Sequence, residues 1–196
     1  MKIILASHNN SKLAEFRTLA SGYPVSIIGL QEIGYEEDIA ETGDSFDENA
    51  LIKARAVYRV TNDIVIADDS GLCVDALDGA PGILSARFAG LGKGDDDKNT
   101  QLLAMLDTLG DVDRSAAFHC SLAVIFPDGK EMLYHGICRG AIAKEPRGTN
   151  GFGYDPIFIP AGERRTLAEM SEGEKHDLSH RGNAVRAFLR ALCAGE

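Results

Sequence analysis

The sequence predicts an α/β fold on three observations. These are short apolar runs that read as buried strands, amphipathic stretches of helical spacing between them, and two long β-rich runs flanking a turn signal. The chain opens with the apolar run Lys2–Ala6, a polar turn Ser7–Ser11, and a stretch with Leu13, Phe16, Leu19 and Ala20 on one helical face, which together form a β-loop-α unit. A second strand is expected at Val25–Ile28. Beyond an acidic loop, Ser45-Phe46-Asp47-Glu48 carries a capping-box pattern, so a helix is expected to start there and run to about Val60. Ile64–Ala67 reads as a buried strand ending in Asp68-Asp69-Ser70-Gly71, and Gly79-Ala80-Pro81-Gly82 as an irregular loop.

After the Gly- and Asp-rich segment Gly90–Asp97, helical periodicity spans Asn99–Leu109. Pro127-Asp128-Gly129, between the two β-rich runs, predicts a hairpin. The Gly-rich segment Arg147–Pro156, a short strand Ile157–Ile159, and a closing helix with Val185, Phe188, Leu189 and Leu192 at helical spacing complete the chain.

With 196 residues, 44% hydrophobic and 26% charged, the chain can bury a substantial core and is expected to form one domain over residues 1–196. No apolar run approaches the roughly 18 to 20 residues needed to span a bilayer. The N-terminal MKIILASHNN turns polar too early for a signal peptide, so a cytoplasmic location is expected. Cys73, Cys120, Cys138 and Cys193 show no C-x-x-C spacing and read as reduced thiols in or near the core, not as zinc ligands or a disulfide framework. Twenty basic against thirty acidic side chains give a net charge of −10, which disfavours a nucleic-acid backbone as partner. A nucleotide remains compatible, because local cations, helix N-termini and a divalent metal act at short, screened range.

Four constellations could carry chemistry. Ser7-His8-Asn9-Asn10-Ser11-Lys12 lies where a strand gives way to a helix; backbone N–H groups there bind anions and Lys12 adds a positive charge, although an ordinary helix cap has the same look. Neither a Walker A loop nor G-x-G-x-x-G is present. Asp68-Asp69 follows a hydrophobic strand, where α/β proteins tend to place ligands. Successive strand residues point to opposite faces, so only one of the two addresses a given cleft. With Glu41 on the acidic loop, such carboxylates suit a hard divalent cation bridging phosphates; a solvated turn is the alternative.

The third constellation is Gly148-Thr149-Asn150-Gly151-Phe152-Gly153-Tyr154-Asp155-Pro156, in which glycines allow close approach and Phe152 and Tyr154 offer rings for a base, or else a turn covers a core. The last is Lys175 with Ser179-His180-Arg181, hydrogen-bonding groups able to read a base edge, or a cap followed by solvated charges.

Taken together, SHNNSK, ETGDSFDENALIKA from Glu41, ADDSGLCVDALDGAPGILSARFAG from Ala67, GTNGFGYDPIFIP from Gly148 and EKHDLSHRGNA from Glu174 closely resemble the inosine triphosphate pyrophosphatase family, the noncanonical purine NTP pyrophosphatases. The resemblance covers nearly the whole chain. It implies a central elongated mixed sheet flanked by helices, two lobes with the active-site cleft between them, and a homodimer. It implies hydrolysis of ITP, dITP and XTP to the monophosphate and pyrophosphate, with Mg2+ held by Glu41 and Asp69, and Asp69 as the base that activates water. Ser7, His8, Asn9, Asn10, Ser11, Lys12 and Lys53 map to phosphate contacts. Ser70, Phe152, Gly153, Tyr154, Asp155, Lys175, His180 and Arg181 map to the remaining substrate contacts.

The chain departs from several relatives in carrying Ala40-Glu41 where they have two adjacent acids before the Thr-Gly; if the first acid is the metal ligand, Glu41 or Asp68 substitutes. His8 and Asn150 stand where glycines are common. Rival readings are a pyrophosphatase for pyrimidine or methylated nucleotides, against which the Ser-His-Arg segment argues, and a nucleotide-sensing module that would not need Asp69. A serine hydrolase is disfavoured because Ser70 lacks a G-x-S-x-G elbow.

Overall fold

The computed structural model describes residues 1–90 and 92–194. Leu91, within the segment Gly90–Asp97, lies outside the described residues, as do residues 195 and 196. Six strands form one sheet in the order β2-β1-β3-β4-β5-β6: β1 is Lys2–Leu5, β2 Ser26–Gly29, β3 Ile64–Val74, β4 Ser115–Ile125, β5 Glu131–Ile142 and β6 Phe158–Pro160. β1 runs parallel to both β2 and β3, while β5 and β6 are antiparallel. The sheet is therefore mixed. The helices are α1 (Asn10–Leu19), α2 (Phe46–Thr61), α3 (Asp95–Leu109), α4 (Glu172–Leu178) and α5 (His180–Ala194). Among the described residues no helix is long and apolar enough to cross a membrane.

By its internal packing the chain divides into two compact units, one of Met1–Asp69, Cys120–Gly136 and Arg181–Glu196, the other of Ser70–His119 and Ile137–His180. In the first unit strand alternation separates two cores. Ile3, Leu5, Ile64, Ile66, Leu122 and Val124 pack with Phe16 of α1 and Val185, Phe188 and Leu189 of α5. Their neighbours Ile4, Ala6, Val65, Ala67, Ala123 and Ile125 pack with Ala50, Ala54 and Val57 of α2. Both faces of this part of the sheet are buried, which is why its strands are almost continuously apolar. In the second unit Leu72, Val74, Ala116, Phe118 and Ile142 pack with Leu102, Leu103 and Leu106 of α3. Each fully buried Leu, Ile or Phe side chain stabilises the fold by about 1.5–3 kcal/mol relative to exposure.

Several sequence expectations are corrected. β3 does not stop at Ala67 but continues to Val74, because Asp68 and Asp69 are matched by cations and the alternation of buried residues resumes at Leu72. α3 begins at Asp95, four residues before the apolar periodicity; its first turn holds Asp95, Asp96 and Asp97, whose charge suits the positive end of the helix dipole. The short strand is Phe158–Pro160. Lys175 lies in a separate short helix, α4, that Ser171 caps. Cys120 and Cys138 are buried and outside any disulfide, but Cys193 is exposed near the end of α5. The hairpin forms as expected, with Gly129 N–H donating to Phe126 O at 2.9 Å and Phe126 N–H to Lys130 O at 3.0 Å.

Candidate active site

Strand parity sorts the two adjacent acids. Asp68 shares the face of Ile64 and Ile66, toward α1 and α5; Asp69 shares the face of Val65 and Ala67, toward α2. Asp68, 1% exposed, accepts from Lys12 Nζ at 3.0 Å and from Arg181 Nε and Nη2 at 3.1 and 2.9 Å. Arg181 Nη1 donates to Glu15 Oε2 at 2.6 Å. A buried network of two carboxylates and two cations thus ties β3 to both helices. Burial opposes the charge on Asp68, yet the cations of Lys12 and Arg181 hold its carboxyl far below the ordinary carboxylate range. Burial likewise opposes the Arg181 charge, and Asp68 and Glu15 more than restore it.

On the opposite face Lys53 Nζ donates to Glu41 Oε1 at 2.5 Å and to Asp69 Oδ1 at 3.0 Å. Desolvation would discharge Lys53, but Asp69, Asp68 and Glu41 keep it an ammonium. Asp69 is buried, and its Oδ2 has no hydrogen-bond partner among the described residues. Desolvation raises the Asp69 pKa, Lys53 offsets part of that, and Glu41 adds to it. The result is a buried carboxylate with one oxygen fixed and the other available as a ligand or proton acceptor. Asn49, one turn before Lys53 on α2, accepts from Gly43 N–H at 2.8 Å and so anchors the loop that carries Glu41.

The Ser7–Lys12 segment both caps and exposes a helix start. Asn9 Oδ1 accepts from Lys12 N–H at 3.0 Å, Ser7 Oγ from Asn9 N–H at 3.2 Å, and His8 Nε2 lies 3.0 Å from Glu37 O. His8, Asn9, Asn10 and Ser11 are exposed. This leaves the first turn of α1 accessible to an anion.

In the second unit, Phe152–Asp155 forms a turn around one carboxylate oxygen. Asp155 Oδ2 accepts from Phe152 N–H at 2.8 Å and from Lys175 Nζ at 2.6 Å. The ammonium of Lys175 also sits 4.5 Å from the centroid of the Phe152 ring, a cation–π arrangement. Gly151 must be glycine: its φ is +76°, and a Cβ there would stand 2.1 Å from Asp155 Oδ2. Tyr154 is buried in the core of this unit, with its hydroxyl donating to Ser85 O at 3.0 Å. His180 stacks on Phe118 at 4.7 Å with 9° between the rings. Ser70 is half-buried on β3.

Comparison with known proteins settles the family. The Ham1 family matches residues 3–191. The chain belongs to the Ham1 family. Its Ham1-family relatives include the dITP/XTP pyrophosphatase of Bacillus licheniformis, 45% identical over 97% of each chain, and that of Streptomyces coelicolor, 46% identical over 96% of this chain and 95% of the relative. A HAM1 protein from Coxiella burnetii superposes with a TM-score of 0.90 at 43% identity, covering 99% of each chain. The Staphylococcus aureus Ham1 protein gives 0.89 at 39% identity over the full length of both.

Sequence reasoning missed Glu15 and Asn49 in this Ham1-family site. Glu15 had a visible signal, an acid next to Phe16 on the otherwise apolar face of α1, whereas Asn49 in the first turn of α2 reads as an ordinary polar residue. The buried network also makes stability depend on pH. Asp68 titrates lower in the folded than in the unfolded chain. Its stabilising contribution is therefore complete above the ordinary aspartate pKa of about 3.9 and is lost as pH falls below that value toward the folded one. Urea denaturation between pH 7 and 3 should show a steeper acid loss of stability in wild type than in Asp68→Asn; equal slopes would remove Asp68 as the source.

Proposed function

We propose that the chain hydrolyses ITP, dITP and XTP to the nucleoside monophosphate and pyrophosphate, removing noncanonical purines from the nucleotide pool of the cytoplasm. The observation that carries this reading is Asp69, a buried carboxylate fixed by Lys53 through one oxygen and unpartnered at the other among the described residues, in a chain of the Ham1 family whose relatives are dITP/XTP pyrophosphatases. Asp69 takes the proton of the attacking water. Lys12, Lys53 and the first turn of α1 bind the polyphosphate, and Lys53 keeps the Asp69 carboxylate in one orientation. Phe152 stacks on the base. Lys175, His180 and Arg181 carry donors that suit a 6-oxo purine and leave a penalty for adenine, whose 6-amino group is itself a donor.

A magnesium ion fits this site. The carboxylates of Glu41 and Asp69 already converge on one cationic centre, the Lys53 ammonium, and Asp69 Oδ2 is a buried oxygen with no other partner among the described residues. Among the described residues no group of three or more His, Cys, Asp and Glu side chains is placed to hold a metal alone. Glu41 and Asp69 would therefore share the ion with water and substrate phosphate, a common arrangement for Mg2+. When bound, the ion supplies charge neutralisation on the phosphates.

A homodimer is part of the same proposal, resting on the family resemblance and checked by sedimentation. Pyrophosphate release from ITP, XTP, GTP, ATP and dTTP with magnesium tests the function. Strong selectivity for ITP and XTP is expected. Binding without turnover would favour a nucleotide-sensing role.

A further inference from the structure

The Phe152–Asp155 turn has a second support, on α3. Gly153 is held at both of its peptide groups: its N–H donates to Asp95 Oδ2 at 2.6 Å, and its C=O accepts from Asn99 Nδ2 at 3.1 Å. Asp95 and Asn99 are four residues apart on α3 and so lie on one helical face. Asn99 is 2% exposed, and Lys98 Nζ fixes the other Asp95 oxygen at 2.5 Å. Gly153 adopts φ +66°, one of several conformations open to glycine, so its two anchored peptide groups select this one. The residue before it is the half-buried Phe152, and the residues after it are Tyr154, pinned to Ser85, and Asp155, which accepts from Lys175.

We infer that Asp95 and Asn99 are positioning residues for nucleobase binding: by gripping both peptide groups of Gly153 they fix the plane of the Phe152 ring and the distance from Phe152 to the Lys175 ammonium. They touch neither substrate nor reacting atoms. The inference rests on the reading of Phe152 and Lys175 as base contacts. Without the grip, the turn samples other orientations and the base loses a preorganised surface, a cost that falls on nucleoside binding. Asp95 and Asn99 bond to Gly153 and Lys98 and not to Asp69, Lys12 or Lys53, so the cost is expected in binding and not in the proton transfer.

The test uses Asp95→Ala, Asp95→Asn and Asn99→Ala in the full chain. Steady-state kinetics on ITP are measured with the affinities for IMP and for inorganic pyrophosphate by calorimetry, and with amide hydrogen exchange over residues 150–156. Asp95→Ala and Asn99→Ala are expected to raise the KM for ITP and weaken IMP by about five- to tenfold, the worth of one such hydrogen bond. The kcat and pyrophosphate affinity should stay within about twofold, and exchange at Gly153 should rise. Asp95→Asn, whose side-chain oxygen still accepts from Gly153 N–H, is expected to restore most of the loss. Unchanged IMP affinity in both alanine variants would overturn the inference, as would equal weakening of IMP and pyrophosphate, which marks a general loss of structure. Wild type that fails to release pyrophosphate from ITP would instead overturn the functional reading, while faster exchange at Gly153 in Asp95→Ala would still report the grip itself.

Discussion

Asp69→Asn is expected to lower pyrophosphate release from ITP by about 10²–10⁴-fold, the usual worth of a general base, while the nucleotide still binds. The amide keeps the volume of the carboxylate and can still accept from Lys53 through its oxygen, but it cannot take a proton from water. Stability should change little, because the amide oxygen still accepts from Lys53 and Glu41 remains as a counter-charge to that ammonium. Single-turnover kinetics with calorimetric binding of ITP check both halves. Turnover within tenfold of wild type would remove Asp69 as the base, and loss of binding alongside turnover would make it a ligand anchor.

Arg181→Ala should produce the largest loss of stability, about 3–5 kcal/mol, because removing one member of a buried ion network leaves its partners charged and unmatched. Here those partners are Asp68 and Glu15, 1% and 4% exposed, each bonded to the guanidinium. Urea denaturation of Arg181→Ala, Asp68→Asn and the double variant separates the pair from its surroundings. The double variant should recover part of the loss, because Asn no longer needs a counter-charge. Arg181→Lys should recover less than its charge suggests, since one ammonium cannot reproduce a fork that spans two carboxylates. A loss below about 1 kcal/mol for Arg181→Ala would place the network in the weak, screened class of surface pairs. If Arg181 also reads the base, the same variant blunts the preference for ITP over ATP at temperatures where it remains folded.

Much of this architecture was legible from local pattern. The β-loop-α opening, the Ser45 cap of α2 and the Pro127–Gly129 hairpin follow from residue spacing that acts over a few positions. The alternation of Asp68 and Asp69 to opposite faces was also readable, because strand periodicity forces it. The end of β3 was not. Two adjacent acids look like a strand terminus until Lys12, Arg181 and Lys53 arrive from α1, α5 and α2 to neutralise them, and those partners are up to 113 positions away in the chain. The start of α3 was hidden for a related reason: Asp95–Asp97 contributes to the helix through dipole and capping interactions, not through an apolar stripe. The burial of Tyr154 against Ser85 was invisible because an aromatic in a Gly-rich loop reads equally as a ligand platform or as a core residue.

The parting of Asp68 and Asp69 has an evolutionary consequence. Position 68 ties the first unit together, the proposed mechanism places turnover on position 69, and the two positions are adjacent in the chain yet face different neighbours. On the proposed mechanism, a single nucleotide change in the Asp69 codon would silence hydrolysis without unfolding the chain. Such a protein would keep the exposed first turn of α1 and the anchored Phe152–Asp155 turn, and would be one step from a new occupation as a receptor for the nucleotides proposed as its substrates.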